Sequence, residues 1–208
     1  MSAVCGLVLS GGRSSRMGGG DKTLRPLGTG TVLSHVVDRL RPQADQIAIS
    51  ANGDPARFAA FGLPVLADRD DSYAGPLAGI LAGMEWSASA GGTHIASVAG
   101  DTPFFPHDLV ERLSAAMEGK LDRIAVASSG GRRHPVFAVW PLRLAGDLRR
   151  FLEEGKTLKV QAFIEDHEFI EVEFPMMLSP GGSIDPFFNI NTLDDLARAE
   201  TLLREMTA

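Results

Sequence analysis

The chain has 208 residues and a formal net charge of −6. That length suits one α/β domain whose core can do without disulfides or structural metals. The negative balance disfavours a nucleic-acid role, because phosphate backbones demand basic patches. The lone cysteine, Cys5, sits in an apolar run, as expected of a reduced core thiol in a cytoplasmic protein. No apolar run reaches the roughly 18–20 residues of a transmembrane helix. Met1–Ser10 gives way at once to polar, glycine-rich sequence, unlike a signal peptide.

Val4–Ser10 reads as a buried strand. Leu33, Val36, Val37 and Leu40 have the spacing of an amphipathic helix. Ile47–Ser50 and Pro64–Ala67 read as short strands, Gly79–Trp86 as helix and Ile95–Ala99 as strand. His107–Met117 follows Pro106 and reads as a helix with Leu109, Val110, Leu113 and Met117 inward. Ile124–Ser128 and Val136–Trp140 read as strands, and Leu144, Leu148, Phe151 and Leu152 mark another helix. Phe163–Phe174 reads as a helix end followed by a strand, and Met176–Ser183 as a loop. The last helix begins near Leu193, with Thr192 as N-cap and Asp194 and Asp195 in its first turn. Strand–helix alternation predicts a three-layer α/β fold with a mostly parallel sheet. No linker or internal repeat divides the chain, so residues 1–208 are expected to form a single domain.

The strongest chemical signal is Gly11–Lys22, GGRSSRMGGGDK, directly after the first strand. Ligands of open α/β sheets bind beyond the carboxyl ends of strands. Glycines let backbone N–H groups curl around phosphates, and Arg16 and Lys22 add charge-assisted hydrogen bonds. The loop lacks GxGxxG, and Asp21 rather than Gly precedes Lys22, so neither the dinucleotide fingerprint nor the Walker A loop fits. The second signal is AGDTPFFP at Ala99–Pro106. Asp101 ends an apolar strand, where one carboxylate can hold Mg2+ against triphosphate oxygens; the plainer alternative is turn initiation before Thr-Pro. The third is GPLAGILAGM at Gly75–Met84, where Gly75-Pro76 offers helix-start N–H groups to a base or ribose. Leu77, Ile80, Leu81 and Met84 are equally ordinary core spacing. Asp68, at a strand end, can accept from the N–H groups of a guanine edge or simply face solvent. Late in the chain stand HPVFAVW at His134–Trp140 and DPFFNINTLDD at Asp185–Asp195. Asn189 and Asn191 alternate along a short extended run and so share a side. Their amides suit an acceptor or a metal, or else cap the C-terminal helix region. His134 reads as a packed or turn histidine before a catalytic one.

Together these motifs resemble the molybdenum cofactor guanylyltransferase family, commonly called MobA. The resemblance rests on LSGGRSSRMGGGDK at Leu9–Lys22, GPLAGI at Gly75–Ile80, GDTP at Gly100–Pro103, HPVF at His134–Phe137 and FFNINT at Phe188–Thr192. It implies a Rossmann-like nucleotidyltransferase fold, with an N-terminal part for GTP and a C-terminal part for molybdopterin. The implied reaction transfers GMP from GTP onto molybdenum-bound molybdopterin, with Mg2+ as cofactor. Leu9, Ser10 and Gly11 would lie along the nucleotide, with Lys22 at its phosphates. Asp68 would read guanine and Asp101 would hold Mg2+. Ser50 matches a nucleotide-contacting position where Asn is frequent. Arg16, Lys159, Asn189 and Asn191 would face the pterin. Transient contacts with molybdenum-insertion and molybdoenzyme-maturation proteins would follow from such a role. The competing functions are cytidylyl transfer to the same pterin, nucleotidyl transfer to a sugar or polyol phosphate, and a non-enzymatic nucleotide-sensing or cofactor-delivery module. Asp101 and Lys22 together argue against the last, since a binder does not need both.

Overall fold

Strand β1 (Val4–Leu9) is followed by β2 (Pro26–Leu27), β3 (Gly30–Thr31), α1 (Val32–Leu40), β4 (Ile47–Ser50) and β5 (Val65–Leu66). Then come α2 (Pro76–Ser89), β6 (His94–Ala99), α3 (Leu109–Ala116), β7 (Ile124–Ser129), β8 (Arg132–Pro141) and α4 (Ala145–Glu154). The chain ends with α5 (Val160–Glu165), β9 (Phe169–Glu173), β10 (Met177–Ser179), β11 (Gly182–Ile184) and α6 (Leu193–Thr207). This computed structural model describes residues 3–11, 21–67, 75–155, 157–180 and 182–207. The sequence signals at Arg16 and Asp68 lie outside the described residues.

Seven strands form the central sheet in the order β5-β4-β1-β6-β8-β7-β9. The pairs β5/β4, β4/β1, β1/β6 and β7/β9 are parallel, and β8 runs antiparallel to both β6 and β7. The mostly parallel, three-layer α/β expectation is therefore met. Helices cover both faces, which is why the strands read as nearly continuous apolar runs. Val8, Ala125 and Val139 pack with α1 and α3 on one face. Their chain neighbours Leu7, Val126 and Trp140 pack with α2, α4 and α5 on the other. Trp140 is fully buried, and its indole N–H donates to Ser97 Oγ at 2.8 Å, so its polar edge is satisfied. Cys5 is a buried free thiol, as its apolar setting predicts. No helix among the described residues is long and apolar enough to cross a membrane.

Local chemistry sets the element ends. At the start of α1 the Thr31 hydroxyl accepts from Ser34 N–H while the Ser34 hydroxyl accepts from Thr31 N–H, a reciprocal capping box. Thr192 and Asp195 do the same for α6: Asp195 N–H donates to Thr192 Oγ1 at 3.1 Å, and Thr192 N–H donates to Asp195 Oδ2 at 2.8 Å. Helix α2 comes very close to the sheet. A Cβ at Gly83 would lie 2.6 Å from both Ile95 Cδ1 and Leu7 Cδ2. One at Gly79 would collide with the Ser50 hydroxyl and Leu9.

Three expectations change in detail. The α3 helix starts at Leu109, because His107 and Asp108 form its entry turn, closed by Leu109 N–H donating to the Pro106 carbonyl. Strand β8 begins at Arg132, four residues before the apolar run. Gly130 and Gly131 both take positive φ (54° and 74°) and close a two-residue hairpin between Ser129 and Arg132. Met176–Ser183 is not a loop: β10 and β11 pair antiparallel within it, Met177 opposite Ile184 and Leu178 opposite Ser183. Pro180 lies in the turn of that hairpin, and Gly182 opens β11. The hairpin's Met177 and Ile184 join Phe104, Ile190, Ala199 and Leu202 in a third apolar cluster, which seats Asn189–Asn191 against the sheet's carboxyl end.

Candidate active site

Strands β1, β4 and β6 end together. Ser10 N–H donates to the Ser50 carbonyl at 2.8 Å, and Gly100 N–H donates to the Leu9 carbonyl at 2.9 Å. The residues just beyond these strands therefore share one rim. Gly11 is exposed there, and Ser10 turns its buried hydroxyl to Thr23 Oγ1 at 2.8 Å. The Thr23 hydroxyl in turn donates to Asp21 Oδ1 at 2.7 Å, which fixes the chain as it re-enters at Lys22. Arg57 Nε lies 3.4 Å from Asp21 Oδ2 and holds the other side of that carboxylate.

Lys22 and Asp101, 79 positions apart, meet. Lys22 Nζ donates to Asp101 Oδ2 at 2.5 Å and to Asn191 Oδ1 at 2.7 Å. The Asp101 side chain is 14% exposed and that of Lys22 22%. The single Thr102 hydroxyl proton is shared, closest to Asn189 Oδ1 at 2.6 Å and farther from Asp101 Oδ1 at 3.2 Å. The backbone completes the junction, with Ile190 N–H donating to the Asp101 carbonyl at 2.9 Å. The two late asparagines thus share a side, as their alternation implies, with Ile190 buried between them. Their side chains reach the Asp101 corner rather than the α6 backbone, which Thr192 and Asp195 cap.

Next to this corner lies a cavity of 520 Å³ whose lining includes Arg132, His134, Asp185, Phe187, Asn189 and Asn191. His134 is buried and stacks on Phe187 with ring centroids 4.4 Å apart. Its Nε2 lies 2.7 Å from Ser129 Oγ, which donates to Asp185 Oδ1 at 2.7 Å. Asp185 Oδ1 also accepts from Phe187 N–H at 2.8 Å. Ser129, Asp185 and Arg132 are site residues the sequence reading passed over. Two signals were available: the carboxylate heading DPFF, and the Gly130-Gly131 turn that folds Arg132 and His134 back over the sheet.

The other expected residues are placed as follows. Ser50 ends β4 with its hydroxyl buried against Gly79. Gly75 is exposed at the start of α2, with φ 123° and Pro76 in the first turn. Lys159 is exposed at the start of α5 and is not among the residues lining the cavity.

Burial pushes His134 below the usual imidazole value, against the opposing pull of Asp185. Burial does the same to His94. The unfolded chain therefore takes up protons at these histidines before the folded one does. Their contribution to stability is present above pH about 6.5 and is lost as pH falls from there through the folded values. The melting temperature should accordingly drop between pH 7.5 and 5.5, with a shallower slope in His134→Gln. A flat profile would show that burial does not hold these rings neutral.

Among the described residues no group of three or more His, Cys, Asp or Glu side chains could cage a metal alone. Asp101 offers a single carboxylate just beyond the end of β6. That donor set fits a hard cation shared with phosphate oxygens rather than one held wholly by protein.

A family model described as a MobA-like NTP transferase domain matches residues 6–170. A Mesorhizobium japonicum protein named molybdenum cofactor guanylyltransferase is 54% identical over 206 residues, covering 99% of this chain and 98% of its own. The crystal structure of molybdopterin-guanine dinucleotide biosynthesis protein A from Archaeoglobus fulgidus superposes with a TM-score of 0.73 at 22% identity, covering 97% of this chain and all of that one. A Mycobacterium tuberculosis structure in complex with manganese superposes at 0.66 with 19% identity, covering 96% of this chain and 99% of its own. At these identities the two structures speak for the fold.

Proposed function

The chain belongs to the MobA-like NTP transferase family, and from that premise we propose that it transfers GMP from GTP to molybdenum-bound molybdopterin, forming the guanine dinucleotide cofactor and pyrophosphate. One observation carries this reading: Lys22, Asp101 and Asn191 meet at a corner that joins the nucleotide rim to the cavity under His134. In this reading the N-terminal part binds GTP, through Leu9, Ser10, Gly11, Ser50 and Gly75. The C-terminal part binds the pterin, with Asn189 and Asn191 facing it and Arg16 and Lys159 supplying positive charge toward it.

A phosphate oxygen of the acceptor attacks the α-phosphorus of GTP in line; the new P–O bond forms as the bond to the β-phosphate oxygen breaks, and pyrophosphate leaves. No side chain becomes covalently bonded. The protein positions the two phosphates and neutralises charge, the terms that dominate phosphoryl transfer. Lys22 offsets charge on the departing pyrophosphate, assisted by Arg16. Asp101 would hold Mg2+ with the triphosphate oxygens, and that ion would supply Lewis-acid neutralisation. The Thr102 hydroxyl and the Lys22 ammonium keep the Asp101 carboxylate oriented until then. The reaction belongs in the cytoplasm, where a single reduced cysteine is at home.

We assign guanine reading to Asp68, whose carboxylate accepts from the N–H groups of the base edge. Removing a partner from such a bond costs about 1–3 kcal/mol, or roughly 5- to 150-fold. Calorimetry should therefore rank GTP well above ATP and CTP, and Asp68→Ala should collapse the ranking. Equal affinity for all three nucleotides would remove the guanine assignment. Turnover with each of the four NTPs and molybdenum-loaded molybdopterin tests the reaction itself: transfer from GTP alone is expected, and transfer from CTP alone would favour the cytidylyl alternative.

A further inference from the structure

His134 is a buried titratable group in the cavity wall, and its hydrogen bonds fix which nitrogen carries the proton. Asp185 Oδ1 is a carboxylate acceptor that takes Phe187 N–H at 2.8 Å and the Ser129 hydroxyl at 2.7 Å. The one proton of Ser129 is thereby spent on Asp185. Toward His134 Nε2, 2.7 Å away, Ser129 Oγ can only accept. Nε2 therefore bears the hydrogen, and Nδ1 of the neutral ring keeps its lone pair.

Nδ1 has no hydrogen-bond partner among the described residues, yet it is not sealed in. The one fully buried, unpartnered side-chain polar atom among them is Ser114 Oγ. His134 lines the 520 Å³ cavity together with Asn189 and Asn191, so a ligand seated there meets the same wall as this ring. Stacking on Phe187 and the edge contact with Phe137 hold the ring plane in place. A rigid acceptor atom in a wall that also carries two amides suits recognition of a planar, N–H-bearing heterocycle.

Resting on the proposed pterin-acceptor reading, we infer that His134 is a specificity-determining residue, whose Nδ1 accepts a hydrogen bond from a ring or amino N–H of the acceptor. The ring stays neutral for this purpose. Burial lowers its proton affinity, Asp185 and Glu173 oppose that, and Arg132 adds to it. Protonation would replace the acceptor atom with a donor and turn the substrate's N–H away.

Two substitutions separate recognition from packing. In His134→Gln the side-chain amide can still donate to Ser129 but leaves nothing at the Nδ1 position. In His134→Asn the amide oxygen stands near Nδ1, but the reach to Ser129 is lost. Steady-state kinetics with molybdenum-loaded molybdopterin, with GTP affinity by calorimetry alongside, should give unchanged GTP affinity in both. The acceptor KM should rise roughly 5- to 100-fold in His134→Gln, the cost of one lost buried hydrogen bond, and clearly less in His134→Asn. The wild-type acceptor KM should climb as pH falls through the folded imidazole's value, which burial holds below the usual one, with a flatter profile in His134→Asn. The reverse ranking, with Gln the milder change, or an acceptor KM unaltered in both variants, overturns the inference. Wild-type protein that fails to transfer GMP to molybdopterin at all would instead overturn the functional reading beneath it.

Discussion

Asp101→Asn is expected to abolish metal-dependent turnover, by roughly 10³-fold or more, while the protein stays folded. The magnitude is the several kcal/mol that a correctly placed ion and its carboxylate contribute to a charged transition state. The fold should survive because the substitution keeps the shape of the side chain and every main-chain bond of the turn. The Asp101 carbonyl still accepts from Ile190 N–H at 2.9 Å, and Thr102 still reaches Asn189. What changes is charge: Asn cannot take a divalent cation with the same affinity, and Lys22 keeps Asn191 but loses its charged partner at a site 22% exposed, where water can replace it. The measurements are turnover across a magnesium titration and thermal melting on the same preparation. Near-wild-type turnover in a folded variant would remove Asp101 from the metal's coordination.

Both ends of the Lys22–Asp101 pair are legible in the sequence because each follows an apolar strand, and strand ends in such sheets face ligand. The parallel core was legible for a similar reason: Leu7 with Val8, and Val126 with Ala125, are apolar on both faces, which only a doubly covered sheet tolerates. The antiparallel run of β8 was not legible, because a buried strand reads the same in either direction. Nor was the third partner of the pair. Asn191 lies 169 positions from Lys22, and its approach depends on a cluster joining Phe104, Ile190 and Leu202 from separate elements. The Ser129–His134–Asp185 chain was missed because each member has an ordinary local explanation: a strand serine, a turn histidine and a turn-initiating aspartate. The hairpin across Gly130-Gly131 brings Ser129 to His134, and the chain after β11 separately brings Asp185 to Ser129. The β10–β11 hairpin was hidden by its own turn, since Ser-Pro-Gly-Gly dominates a segment with only three paired residues on each side.

Replacing Asn189 and Asn191 together by alanine should separate acceptor recognition from helix capping. The α6 cap belongs to Thr192 and Asp195, and the asparagine side chains take no part in it. The double variant should therefore melt close to wild type. Thr192→Ala, which does remove a cap, should cost about 1 kcal/mol and lower the melting temperature by roughly 2–4 °C, with acceptor binding intact. Acceptor affinity should fall sharply in the double variant. Two amides leave the cavity wall, and hydrogen bonds of this kind contribute about 0.5–1.5 kcal/mol each, or more where a charge is involved, for a combined loss of roughly tenfold or more. The single variants should differ in their effect on nucleotide. Asn189 bonds Thr102, so Asn189→Ala should leave GTP affinity unchanged. Asn191 steadies the Lys22 ammonium at 2.7 Å, so Asn191→Ala should weaken GTP severalfold as well. That asymmetry is the more discriminating result, because it follows only if Asn191 joins the two halves of the site through Lys22. A destabilised double variant with wild-type acceptor affinity would return both residues to a structural role. Equal GTP affinity in both single variants would break the link between Asn191 and the phosphate-binding lysine.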